Sequence, residues 1–167
     1  QGDIVSGGAT LKLNGEFPDA TDGWITKLSS RGTVLWSKRY FIAGFNSGGL
    51  LTIENATDST YMATGRFGKY KRNLDGSLQE LDAASFLIHF DKFGNVIWIK
   101  RITNYINDSY LSSVTRLQNN SFLISGSVIN SQGVKMLLLK TDSNGNVAWH
   151  KLMFADSIQT GTPAVKE

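Results

Sequence analysis

The chain contains three copies of one residue pattern, and this repetition constrains its fold more than any other feature. In each copy a tryptophan follows a glycine by four residues, and a lysine follows that tryptophan by two. The glycines are Gly32, Gly94 and Gly145, the tryptophans are Trp36, Trp98 and Trp149, and the lysines are Lys38, Lys100 and Lys151. A second anchor lies upstream of each copy, a glycine preceded by serine or threonine: Ser6-Gly7, Thr64-Gly65 and Ser125-Gly126. Repetition of this kind indicates similar structural units stacked along the chain.

The segments between the anchors are short and apolar or alternate between apolar and polar residues, which is typical of β-strands. The predicted strands cover residues 4–7, 24–28 and 34–40 in the first unit, 61–65, 86–90 and 96–102 in the second, and 122–126, 136–141 and 147–153 in the third. A further strand is predicted before the second and third units, at 50–54 and 111–117. No stretch of ten or more residues has a helical period with capping residues.

The residues around the repeated glycine predict a tight turn between the last two strands of each unit. A glycine supplies the positive φ that such a turn needs. Asp91 and Asp142 lie three residues before their glycines, and Ser29 takes that place in the first unit. We expect the aspartate side chains to accept hydrogen bonds from backbone N–H groups of the turn. The lysine after each tryptophan is expected to lay its stem on apolar surface and to place its ammonium group in water.

Composition and charge exclude several classes of protein. The net charge is only +3, from 17 Lys and Arg against 14 Asp and Glu, which does not suggest nucleic-acid binding. The chain has no cysteine, so it forms neither disulfides nor thiolate metal sites. No apolar run approaches the ~18 residues of a membrane-spanning helix. Because the chain starts at Gln1 without a methionine or signal peptide, we expect a processed protein or a fragment.

A four-stranded antiparallel unit that is apolar on both faces needs a neighbour on each side. The sequence therefore predicts an all-β fold, a partial β-propeller of about three four-stranded antiparallel blades. We expect the whole chain to form one partial propeller, with units at about 1–42, 43–104 and 105–155, and residues 156–167 to begin a further strand or to form a tail. Since about four to eight blades close a propeller, the remaining blades are expected from a larger chain or from a second copy.

The pattern (Tyr/Phe)-x-x-(Ser/Thr)-Gly followed by Asp-x-x-Gly-Asn-x-x-Trp-x-Lys resembles β-propeller repeats of secreted and cell-surface bacterial proteins, common in Bacteroidetes-type bacteria. The resemblance covers nearly the whole chain. It implies an exported, extracellular or cell-surface protein that acts as a non-catalytic scaffold or binding module for a protein or glycan, as in adhesins, without a cofactor. Two alternatives stay open: a segment of a quinoprotein-like propeller enzyme, and a lectin-like propeller that assembles from copies of itself.

The residues that often carry catalysis or bind metals occupy repeat positions here. His89 takes the position of Lys27 and Lys140 in the other units, and His150 takes that of Ser37 and Ile99. Oxygen-bearing side chains alternate in a segment that could suggest a calcium loop, at Asp142, Asn144 and Asn146, but the spacing of its glycine fits a turn better. We therefore predict neither a catalytic nor a metal-binding residue.

Long, variable connections predict a binding site at one end of the units. In an up-and-down arrangement, the connection between the first two of the three repeated strands of a unit, such as 61–65 and 86–90, lies at the same end as the connection between units. Rigid scaffolds commonly carry binding sites on such loops. A basic and aromatic group is predicted at Lys69, Tyr70, Lys71 and Arg72. A second group, suited to stacking and hydrogen bonding with a glycan, is predicted at Tyr105, Asn107, Asp108 and Tyr110.

Overall fold

The computed structural model describes residues 2–12, 20–57, 59–102, 109–130 and 133–153. Within these ranges the chain forms β-strands and turns and contains no helix, so none that is long and apolar enough to cross a membrane. The predicted all-β class is confirmed, and the strands form three separate antiparallel sheets that follow one another along the chain.

The strands of each sheet are neighbours in the order in which they occur in the sequence. The first sheet contains β1 (Ile4–Leu11), β2 (Thr21–Leu28) and β3 (Val34–Tyr40). The second contains β4 (Ser47–Thr57), β5 (Thr60–Arg72), β6 (Leu78–Asp91) and β7 (Val96–Ile102). The third contains β8 (Ser109–Arg116), β9 (Phe122–Asn130), β10 (Gly133–Thr141) and β11 (Val147–Met153).

The last strand of each sheet has the predicted bounds, but the two central strands are longer than predicted. The connection between β5 and β6 was predicted as a long irregular loop, and this prediction is wrong. The two strands continue as a paired hairpin to a short turn, in which Asn73 N–H donates to the carbonyl of Ser77. Cross-strand pairing of Lys69 with Asp82 suits an antiparallel ladder, because opposite charges on facing residues favour it. The third sheet likewise extends β9 and β10 into the predicted loop.

The strand register also corrects the alignment of the first unit by one residue. Thr64 pairs with Leu87, which pairs with Lys100. In the first sheet the residue in the same column, opposite Ile25 and Lys38, is Gly7 and not Ser6. The glycine that corresponds to Gly65 is therefore Gly8, and two adjacent glycines made the sequence alignment ambiguous at this point.

The second sheet lies between the other two and is apolar on both faces, because alternate residues of a strand point to opposite sides. One buried cluster joins the first and second sheets and includes Ile25, Tyr40, Leu50, Ala63, Phe67, Phe86, Ile88 and Phe90. A second buried cluster joins the second and third sheets and includes Met62, Leu87, Ile102, Leu111, Val114, Phe122, Ile124, Leu137 and Leu139. These two clusters pack the first sheet against the second and the second sheet against the third.

Candidate functional site

The basic group predicted from the sequence lies on strand β5, near the tip of the β5–β6 hairpin, and not in a loop. An asparagine from the connection between the first and second sheets holds this part of the strand. The Asn46 side chain accepts a hydrogen bond from Tyr70 N–H at 2.9 Å and donates one to the Tyr70 carbonyl at 2.8 Å. The Asn46 amide therefore makes the two hydrogen bonds to the Tyr70 backbone that a neighbouring strand would make. It does so just before β4 begins.

An open groove of about 650 Å³ lies beside this segment. Its lining comes from the residue after β1, the connection between the first two sheets, and the hairpin: Lys12, Gly44, Phe45, Asn46, Lys69, Tyr70, Lys71, Arg72 and Leu81. The predicted meeting of these connections at one end is thus observed for this part of the chain.

The groove has an excess of positive charge. Lys69, Lys71 and Arg72 are exposed and form no ion pair with any residue in the described ranges. Lys12 lies 3.9 Å from a carboxylate oxygen of Asp22, which Arg39 also approaches. Three cations without an ion-pair partner in the described ranges, beside the exposed apolar surface of the hairpin, suit a ligand with negative charge.

The structure also brings together two tyrosines that the sequence placed in separate groups. The Arg66 guanidinium lies over the ring of Tyr110, 4.5 Å from its centroid, and its Nη1 is 3.4 Å from the Tyr70 hydroxyl. The same guanidinium pairs with Glu80 at 3.3 Å. Burial, followed by a hydrogen bond with Glu80, raises the pKa of Tyr70. This cluster fixes the hairpin against the third sheet, so Tyr70 and Tyr110 already have contacts within the protein.

Arg66 and Glu80 were not among the predicted site residues. The alternation of side chains would have placed Arg66 and Tyr70 on one face, had the segment been interpreted as a strand. The remaining predicted residues, Tyr105, Asn107 and Asp108, lie outside the described residues.

The residues with catalytic or metal-binding side chains mostly have structural contacts. His89 lies against Trp98, with ring centroids 5.2 Å apart, and neither imidazole nitrogen has a hydrogen-bond partner among the described residues. Burial lowers the pKa of His89, which favours its neutral form. Across the described ranges, no cluster of three or more histidines and carboxylates is placed to hold a metal ion.

The aspartates of the repeated turns accept hydrogen bonds from the turn itself, as predicted. Asp142 Oδ1 accepts from the backbone N–H groups of Asn144 and Asn146 at 2.9 and 2.7 Å. Its Oδ2 accepts from the side-chain amide of Asn146 at 2.8 Å. The side-chain amide and the backbone N–H groups lower the pKa of Asp142. Asp91 makes the same set of bonds with Phe93 and Asn95.

The repeated tryptophan and lysine contact the turn of the next sheet. Trp36 donates its indole N–H to the carbonyl of Lys92 at 3.1 Å, and its ring lies against Gly94. Lys38 Nζ donates to Asn95 Oδ1 at 2.7 Å. The second sheet repeats this arrangement on the third, with Trp98 against Gly145 and Lys100 Nζ donating to Asn146 Oδ1 at 2.5 Å.

This contact between sheets, which we call the clasp, explains the spacing of the motif. The aspartate holds the asparagine amide, and the amide oxygen thereby faces the lysine of the preceding sheet. The ammonium groups of Lys38 and Lys100 therefore bond to protein, whereas the sequence predicted that they end in water. Positive φ at Gly94 and Gly145, both 75°, and the absence of a side chain there leave room for the indole ring.

Searches against protein-family models and curated proteins give no match for the chain.

Proposed function

We propose that the chain is a non-catalytic binding module of an exported, cell-surface or secreted bacterial protein, built from consecutive blades of a β-propeller. The groove is its binding site, and its ligand is a protein segment or a glycan that carries negative charge. The observation that carries this proposal is the groove itself, where three exposed cations that have no ion-pair partner among the described residues lie beside Phe45 and Leu81.

The blade arrangement is supported by the serial contacts between sheets. Each sheet contacts the next through an apolar cluster and a clasp of the same residue types. Stacked units of this kind bury the two apolar faces that a single sheet exposes. The resemblance of the motif to bacterial surface repeats supports the proposed location.

A non-catalytic role is supported by the contacts of the candidate catalytic groups. The imidazole of His89 packs on Trp98, and the carboxylates of Asp91 and Asp142 are occupied by their turns. The groove itself presents cations and apolar carbon. Such a surface suits recognition of an anionic group.

The proposal is tested by screening the purified chain against acidic and neutral glycans and against acidic peptides, followed by titration of each positive ligand. The variant Lys71→Ala/Arg72→Ala is expected to weaken binding at least about tenfold, because each charge-assisted hydrogen bond contributes about 1.5–3 kcal/mol. The matched control is Arg31→Ala/Lys92→Ala, which removes two exposed cations from turns outside the groove.

Binding that weakens only in the groove variant supports the proposal. Equal losses in both variants indicate attraction by net charge alone and contradict a site in the groove. Binding of neutral and acidic glycans with equal affinity contradicts the proposed ligand chemistry.

A further inference from the structure

The third sheet repeats, on the face away from the second sheet, the residues by which the second sheet holds the third. We call this face the open face. The strand pairing places Ser125, Leu138 and Lys151 in one row, as it places Thr64, Leu87 and Lys100 in one row of the second sheet. Trp149 lies opposite Lys140, as Trp98 lies opposite His89. The register of the donor residues is therefore the same in both sheets.

In the second sheet these residues make three kinds of contact with the third sheet. Thr64 donates its hydroxyl to the carbonyl of Leu111 at 2.8 Å, and both residues are fully buried. Trp98 covers Gly145, and Lys100 donates to Asn146. The hydroxyl group of Thr64 thus contacts a strand of the third sheet. The indole of Trp98 and the ammonium group of Lys100 contact a turn of that sheet.

On the open face, the same groups meet no neighbouring sheet in the described part of the chain. Trp149 is 40% exposed, whereas Trp36 and Trp98 are half-buried under the turns that they cover. Met136, on the same face, is 41% exposed. The contact recorded for the Lys151 ammonium is with its own neighbour, the ring of Trp149, at 5.9 Å.

We propose that the open face binds a further sheet of this repeat, which presents an Asp-x-x-Gly-Asn turn to Trp149 and Lys151. The inference rests on the stacking of units in the proposed function, and it concerns a surface away from the groove. Two clasps of this composition already exist in the chain, and the open face carries the donor half of a third. The glycine of the partner turn admits the indole, and the asparagine oxygen accepts from the lysine.

The chain's own turns define what this partner must contain. The turns at 91–95 and 142–146 are covered by Trp36 and Trp98. The turn at 29–33 is open in the described part of the chain, where no atom would lie within 4 Å of a Cβ at position 32. Its backbone hydrogen bonds match those of the other turns, with Ser29 N–H donating to the Thr33 carbonyl and Gly32 N–H donating to the Ser29 carbonyl. It lacks the asparagine amide that accepts from lysine, and the carboxylate that holds this amide.

The test is to complete the open turn in the full chain and to measure self-association. Ser29→Asp/Thr33→Asn writes Asp-x-x-Gly-Asn into a turn whose backbone already has the required hydrogen bonds. We expect head-to-tail association at least about tenfold tighter than that of the unmodified chain, measured by sedimentation over a concentration series. Adding Trp149→Ala or Lys151→Ala should return association to the level of the unmodified chain. Phe41→Ala, which removes an exposed aromatic ring elsewhere, should not.

Each outcome decides the proposal, provided that circular dichroism shows folded variants. Association that requires the completed turn, Trp149 and Lys151 supports it. A completed-turn variant with the mass of the unmodified chain, or association that survives Trp149→Ala, overturns it. The unmodified chain could instead already associate through Trp149. The turn with Ser29 and Thr33 in a second copy would then be sufficient, and the proposed requirement for an Asp-x-x-Gly-Asn turn would be wrong. None of these results alters the groove test, which uses other residues and a different readout.

Discussion

The buried hydroxyl of Thr64 gives a direct measure of how much a hydrogen bond between sheets contributes to stability. Thr64 is 0% exposed and donates to the Leu111 carbonyl at 2.8 Å, across the interface between the second and third sheets. Thr64→Val keeps the shape of the side chain and removes the donor. A buried acceptor without a partner costs about 1–3 kcal/mol, so we expect the free energy of unfolding to fall by about this amount.

The chain contains a matched control for this substitution. Thr141 is 1% exposed, and its hydroxyl has no hydrogen-bond partner in the part of the chain that the structure describes. Thr141→Val removes a buried hydroxyl that makes no bond, so we expect unchanged stability or a gain of about 1 kcal/mol. The same chemical change should therefore lower stability at Thr64 but not at Thr141.

The assay is urea denaturation followed by tryptophan fluorescence, with thermal melting as a second measurement. For a chain of this length, about 1 kcal/mol corresponds to about 2–4 °C, so Thr64→Val should lower the melting temperature by about 2–12 °C. Equal shifts in the same direction for Thr64→Val and Thr141→Val would refute the argument. They would show that the bond to Leu111 contributes nothing beyond ordinary side-chain packing.

Two further predictions concern the clasp between the first and second sheets. Gly94→Ala should destabilise the chain by about 1–3 kcal/mol more than Gly32→Ala, because overpacking adds to the shared cost of positive φ. A Cβ at Gly94 would lie 2.8 Å from the Tyr40 hydroxyl and 2.9 Å from the Trp36 ring, whereas no described atom would lie within 4 Å of one at Gly32. Equal losses of stability in the two variants would contradict the tryptophan contact. Burial, and then a nearby carboxylate, raise the pKa of Tyr40 from 10.0 to about 12. The unfolded chain therefore releases this proton first, so stability should fall as pH rises from 10 to about 12, and Tyr40→Phe should reduce that fall in alkaline denaturation curves. An unchanged pH dependence in Tyr40→Phe would show that this hydroxyl does not titrate in the window.

The groove shows a limit of interpretation from sequence. Lys69, Tyr70, Lys71 and Arg72 were found as a basic, aromatic group because that property is local in the sequence. Their conformation was predicted wrongly, since polar residues can form a long hairpin when facing side chains suit one another, as Lys69 and Asp82 do. The link from Tyr70 through Arg66 to Tyr110 joins strands β5 and β8 and depends on the packing of two sheets.

By itself, the sequence determined the all-β class, the last strand of each unit, the repeated turns and the presence of three units. These features depend on alternation, on glycine and on aspartate beside a turn, which act between residues a few positions apart. Only the tertiary structure decided what the tryptophan and lysine of the motif contact, because Trp36 and Lys92 are far apart in sequence and meet only when two sheets pack. The same packing decided that Gly7 takes the column of Thr64, since strand register is set by partners across the sheet. Local interactions determine the individual units, and packing between sheets decides which residues of neighbouring units meet.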